Sequence, residues 1–172
     1  MARFEPALQE KLEQLWGEPV NLYRALGNHP ALVAAWTEFF RAIRHDSRTP
    51  RSLRELMILR AAWLARSEYE WAQHLKMARR AGVREAQIGA LGDWRAASCF
   101  DDKERAALAL TDAVTAGSVP DALYAEISRH FGHAEYVELC LTAAAYSMVS
   151  RMLEAIRVEL DDDIRDHSPH LP

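Results

Sequence analysis

With 172 residues, 49% of them hydrophobic, the chain is long enough for a single domain with a sizeable core of its own. Lysine and arginine total 21 against 25 aspartates and glutamates, a formal charge of −4. That balance provides no broad basic surface for a phosphate backbone, so nucleic acid is not an expected partner. The two cysteines, Cys99 and Cys140, lie too far apart for a CxxC pair or a zinc knuckle, and both read as small buried hydrophobes. The N-terminal stretch carries Glu5, Glu10 and Glu13 and lacks the apolar segment of a secretory signal, which predicts a reducing, cytoplasmic location. No apolar run approaches the roughly 20 residues needed to span a bilayer. Arg60 and Arg66 interrupt the strongest candidate, so a soluble protein without a membrane partner is expected.

Helical periodicity dominates and no run of alternating polar and β-branched residues stands out, which predicts an all-α domain. A short helix is expected over 20–26. Asn28, His29 and Pro30 separate it from a second over 31–44, with apolar Leu32, Val33, Trp36, Phe39, Phe40 and Ile43. After the HDSRTP loop, Pro50 suits the first turn of a helix over 52–66 that is apolar on most of its circumference, the pattern of a central buried element. A fourth helix over 68–81 should stop at Gly82 and bury Trp71, Leu75 and Ala78. Further helices are expected over 84–91, from a cap at Asp101 or Asp102 to 116, over 121–131, and over 134–160. The small residues Ala143 to Ala145 in the last helix permit close packing or a subunit contact. Residues 161–172 read as a polar tail, with Asp161 to Asp163 as a solvated helix end and His167 and His170 exposed.

The candidate site comes from charge placed among apolar neighbours. Glu55, Glu70 and His74 are spaced along an otherwise apolar helical region, Glu55 to Gly82, and charged groups in such places are usually paired, hydrogen-bonded or used in proton transfer. Two simpler explanations compete. Ser52 precedes Glu55 by three residues and Ser67 precedes Glu70 by three, the spacing of a capping box. Glu70 and His74 are four apart, so they could form only a surface pair of about 0.2 to 0.5 kcal/mol.

The segments RSLRELMILRAAWL and EYEWAQHLKMARRAGV, followed by AQIGAL, resemble the carboxymuconolactone decarboxylase family with its alkylhydroperoxidase D-like helical bundle. Flanking segments extend the resemblance over about 21–159. It implies an all-α single domain and a homo-oligomer, as a dimer, trimer or hexamer. In the peroxidase branch a Glu, two cysteines and a His carry the chemistry. The matching positions here are Glu55, Ser67, Glu70 and His74, with Tyr69 between, so both thiols are missing and disulfide-cycling peroxidase activity is not expected.

The decarboxylase branch uses acid/base groups, including a Glu and a His four apart. It implies a cofactor-independent lyase or isomerase acting on a small unsaturated lactone or carbonyl acid. His74 would transfer protons, Glu55 would orient it, and Glu70 would be a second acid/base. Tyr69, Trp71 and Ser67 would border the substrate, although an ideal helix turns Tyr69 away from His74. Arg60 would anchor a carboxylate or, alternatively, form an ion pair inside the bundle. Two other readings remain: a metal site built from Glu55, Glu70 and His74, and a non-catalytic oligomer on the same scaffold.

Overall fold

The computed structural model describes Glu10, residues 20–165 and Leu171, and among these residues it contains helices and turns but no strand. The expectations for His167, His170 and most of the N-terminal stretch lie outside the described residues. Helices α1 (Asn21–Leu26) and α2 (Pro30–Arg41) lead into a π-helical turn, Ala42–Asp46. Then come α3 (Arg51–Ala65), α4 (Glu68–Arg80), α5 (Glu85–Ala90), a 3-10 turn (Leu91–Asp93), α6 (Asp102–Ala116), α7 (Asp121–Ile127), α8 (His133–Ala155) and α9 (Asp162–Arg165).

Helix α3 is the axis of the molecule. It packs against α4, α6 and α8, and every residue from Leu53 to Ala62 is buried. Its all-round apolar sequence is satisfied by three separate walls. Leu56 and Leu59 meet Trp71 and Leu75, Ile58 and Ala61 meet Tyr69 and Tyr146, and Leu53 and Met57 meet Leu110 and Leu139.

Local sequence explains most helix ends. Ser67 Oγ accepts a hydrogen bond from the Glu70 amide at 3.4 Å and starts α4. Asp101 and Glu104 bond reciprocally to each other's amides, at 2.8 and 3.0 Å, and start α6. Gly82 follows α4 at φ 91° and Gly117 follows α6 at φ 87°, left-handed positions where glycine carries no side-chain penalty.

Three boundaries differ from sequence expectation. The second helix does not run regularly to Arg44, because its last turn widens into the π-helical turn. The seventh stops at Ile127, short of Phe131. The last long helix ends at Ala155, and Arg157 turns the chain with φ 53°.

The segment after α8 is not a solvated tail at Asp161. That carboxylate is buried, accepting from the Asn21 amide at 2.6 Å, from the Tyr69 hydroxyl at 2.8 Å and from Gln73 at 2.6 Å. Cys99 and Cys140 are free thiols, half-buried rather than enclosed.

Candidate functional site

Arg51 opens α3 and Glu55 lies one turn further along it, so the two side chains share a face. Glu55 is completely buried. Its Oε1 accepts from Arg51 Nε at 2.6 Å and its Oε2 lies 2.7 Å from Nδ1 of His74. Both carboxylate oxygens therefore have strong partners, the condition under which a buried charge is tolerated. Burial alone would raise the Glu55 pKa, but the attraction and hydrogen bonds of His74 and Arg51 outweigh it and hold the group below its ordinary value. With Glu55 ionised, Nδ1 carries the proton and donates it, leaving Nε2 to face the other way.

Nε2 faces Glu70. One turn separates Glu70 from His74 on α4, and Nε2 is 3.5 Å from Glu70 Oε2, too long for a good hydrogen bond. That oxygen has no hydrogen-bond partner, although the residue is only 3% exposed. Burial drives the Glu70 pKa above its ordinary value against the pull of His74 and Arg44, with the Glu55 charge adding to the rise. The imidazole thus sits between a carboxylate held ionised and a carboxyl pushed toward its neutral form. Tyr146 of α8 closes the third side, its ring edge-on to His74 at 4.9 Å.

These contacts decide between the readings that spacing left open. Glu55 caps nothing: Pro50 precedes α3 and no side chain caps that helix. Ser67 does cap the Glu70 amide, but the Glu70 carboxylate turns to His74 instead of completing the box. Glu70 and His74 are buried rather than a surface pair, at 3% and 2% exposure.

The remaining expected site residues lie around this core or away from it. Ser67 and Tyr69 line a cleft of about 450 Å³ between the start of α4 and the end of α8, bordered also by Arg66, Glu154 and Arg157. The Tyr69 hydroxyl is bound to Asp161 and to the Leu22 amide, not to His74. Trp71 is buried against the α3 wall with Leu56 and Leu75. Arg60 takes the ion-pair alternative: Nε meets Asp112 at 2.6 Å, and Nη1 donates to the carbonyls of Leu91 and Gly92.

Sequence reasoning missed Arg51, Arg44 and Tyr146. The first was legible as a four-residue pair with Glu55. The other two depend on packing across more than 100 residues, Arg44 Nε donating to the Tyr146 hydroxyl at 3.0 Å.

Among the described residues no group of three or more His, Cys, Asp or Glu side chains is arranged to hold a metal ion. The geometry of the triad accounts for its part in that. Glu55 and Glu70 address opposite nitrogens of one ring, so they do not converge with it on one ion. No helix among the described residues is long and apolar enough to cross a membrane.

Residues 30–113 match the family model of the carboxymuconolactone decarboxylase family. The uncharacterised protein YdfG of Bacillus subtilis is 31% identical over 94 residues, which are 53% of this chain and 64% of that protein. The chain thus spans less than two thirds of that relative's length.

Among solved structures, the AhpD-core, peroxidase-related protein from Ralstonia eutropha JMP134 superposes with a TM-score of 0.81 at 15% identity, covering 94% of this chain and 88% of that one. The debrominase Bmp8 gives 0.80 at 20% identity, covering 94% and 89%. Protein Atu0492 of Agrobacterium tumefaciens, of unknown function, gives 0.73 at 23%, covering 79% and 94%. At such identities the superpositions establish a shared fold. The segment from α2 into α6 that holds Glu55, Glu70 and His74 is the segment the family model matches, so over that stretch the chain is similar to the carboxymuconolactone decarboxylase family, with Ser67 and Glu70 in place of cysteines.

Proposed function

We propose that the protein is a cofactor-independent acid/base enzyme, a decarboxylase or related lyase or isomerase, acting on a small unsaturated lactone or carbonyl acid. The observation that carries this reading is the asymmetric bracket around His74, with Glu55 at 2.7 Å from Nδ1 and Glu70 at 3.5 Å from Nε2. Two carboxyl groups whose surroundings push their pKa values apart divide naturally into a charged orienter and a proton-bearing acid. Glu55 fixes the imidazole and stabilises its protonated form, His74 accepts and returns a proton through Nε2, and Glu70 supplies the second acid/base group.

In a decarboxylation, the bond to the carboxylate carbon breaks and its electron pair passes into a dienolate as CO₂ leaves. The remote carbon then takes a proton from the His74–Glu70 couple, which solvent restores. The orphaned Glu70 Oε2 is where a reacting oxygen or a water would find a partner. A small unsaturated ring suits the scaffold, since Bmp8 has been solved in complex with 2,3,4-tribromopyrrole. Thiol peroxidase chemistry is outside this reading, because Ser67 and Glu70 stand at the thiol positions.

We further propose that the chain assembles as a homo-oligomer, a dimer, trimer or hexamer, through the outer face of α8. Val137, Leu141 and Met148 there are exposed and spaced four and seven residues apart, with small Ala144 between them.

A second reading, a non-catalytic oligomer with a sealed vestigial site, is favoured by the near-complete burial of all three residues. His74→Gln and His74→Ala separate the two. Both variants should keep the helical circular-dichroism spectrum and lose turnover by about 100-fold or more in a screen of unsaturated lactones and keto acids. Turnover at the wild-type rate in a folded variant would reject the acid/base role, and absence of turnover by the wild type across that screen would favour the scaffold reading.

A further inference from the structure

We propose that Arg66 and Arg157 form a binding site for the carboxylate of a small organic acid, in the cleft of about 450 Å³ between the start of α4 and the end of α8. None of Glu55, Glu70 and His74 lines that cleft, so the inference goes beyond the acid/base reading and does not depend on it.

The first observation is conformational. Four helices end in the same way, with one left-handed residue followed by an amide that reaches back across the helix end. After α4 the residue is Gly82 and Val83 N–H donates to the Ala78 carbonyl at 3.0 Å; after α6 it is Gly117 and Ser118 N–H donates to the Ala113 carbonyl at 3.1 Å. After α3 the residue is Arg66, at φ 57°, and Ser67 N–H donates to the Ala62 carbonyl at 3.0 Å. After α8 it is Arg157, at φ 53°, and Val158 N–H donates to the Leu153 carbonyl at 3.1 Å. Glycine suits this position because a side chain there crowds the backbone. Arg66 and Arg157 are the two non-glycine residues with positive φ among the described residues, and both line this one cleft. Backbone strain of this kind concentrates where a side chain is needed for binding.

The second observation is electrostatic. Among the described residues neither guanidinium forms a hydrogen bond or an ion pair. Arg66 lies over the Trp63 ring at 5.5 Å, a face contact that leaves its N–H donors unused. Arg157 follows Glu154 by three residues, a spacing that pairs charges on a continued helix. The left-handed turn takes it out of that register. Both arginines are exposed, so an arriving anion meets them without displacing a protein partner.

Glu68 and Glu154 also border the cleft. Selectivity there comes from directed guanidinium donors rather than from net charge, and a planar carboxylate is the group that accepts two parallel N–H bonds from such a fork. Leu153, Val158 and Leu160 supply apolar lining for the body of the acid, and the volume falls within the range of about 300 to 1,000 Å³ typical of small-molecule clefts.

Titration calorimetry of the full chain with cinnamate and its uncharged isostere cinnamamide tests the site. The wild type should bind cinnamate about tenfold or more tighter than the amide. Arg66→Gly and Arg157→Gly should fold, because glycine suits both turns, and each should weaken cinnamate by about fivefold or more while leaving the amide within about twofold. Arg157→Gly should also hold or raise the melting temperature. Arg157→Lys, which keeps the charge without the fork, should bind cinnamate several-fold more weakly than the wild type.

Wild-type binding that does not distinguish the two ligands, or is absent for both, overturns the proposal. So does cinnamate affinity unchanged in both glycine variants, which would leave the arginines as helix ends alone. A lowered melting temperature in Arg157→Gly would make that arginine part of the turn's own stability and overturns it as well. His74→Gln should bind cinnamate as the wild type does; loss of binding there places the acid at the imidazole and rejects the cleft.

Discussion

Glu55 and Glu70 stand on either side of one imidazole, yet their contributions to stability have opposite signs with pH. Glu55 is depressed in the folded protein because His74 and Arg51 outweigh its burial. Its stabilisation is present above the ordinary carboxylate value and is lost as pH falls through the depressed one. Glu70 is raised, chiefly by burial. The folded chain keeps that proton where the unfolded chain has released it, so this contribution is full below the ordinary value and is lost as pH rises through the raised one.

Glu70→Gln removes the second dependence while preserving shape and size. Urea unfolding from about pH 5 to 8 should therefore show the variant gaining on the wild type as pH rises. A constant difference across that range would place the Glu70 proton elsewhere. The residue identities of this pair were legible because Glu55 stood in a largely apolar helix and Glu70 and His74 stood one turn apart beside Trp71 and Leu75. Their division of labour was not, because burial and the reach of Arg44 and Tyr146 depend on contacts between distant parts of the chain.

At the scale of elements, the sequence was clearest where a side chain makes its own boundary. Asp101 and Glu104 announce the start of α6 by spacing alone, and their amide bonds are made as that spacing predicts. Replacing Asp101 by Ala should cost about 1 kcal/mol and lower the melting temperature by about 2 to 4 °C, with no effect on ligand binding. A calorimetric scan with no shift would show that the cap is replaced by water.

Boundaries set by tertiary contact were hidden. Periodicity carries α8 on to residue 160, whereas the helix ends at Ala155 and the chain turns at Arg157. The pull comes from Asp161, whose partners Asn21 and Tyr69 lie 140 and 92 residues away. In the same way nothing in the run from Trp36 to Arg44 signals the π-helical turn.

For the whole molecule, burial on all sides of α3 explains why the all-α architecture could be read before any contact was known: an apolar helix without a polar face must be enclosed by others. On the outer face of α8, Val137, Leu141 and Met148 are exposed in one row, without such enclosure among the described residues. Sedimentation velocity should show a species of two or more chains, and Leu141→Glu should shift it toward the monomer while the helical spectrum is kept. A wild type that sediments as a stable monomer would contradict the assembly. Since α8 also carries Tyr146, burying its outer face would stiffen the helix that presents this ring to His74.

The clasp at Asp161 turns two backbone amides into gauges of a remote event. The Asn21 N–H is held by the Asp161 carboxylate, and the Leu22 N–H by the Tyr69 hydroxyl that the same carboxylate holds. Neither proton is protected by the helix it begins, so both should exchange with solvent at the rate at which the far end of the chain lets go.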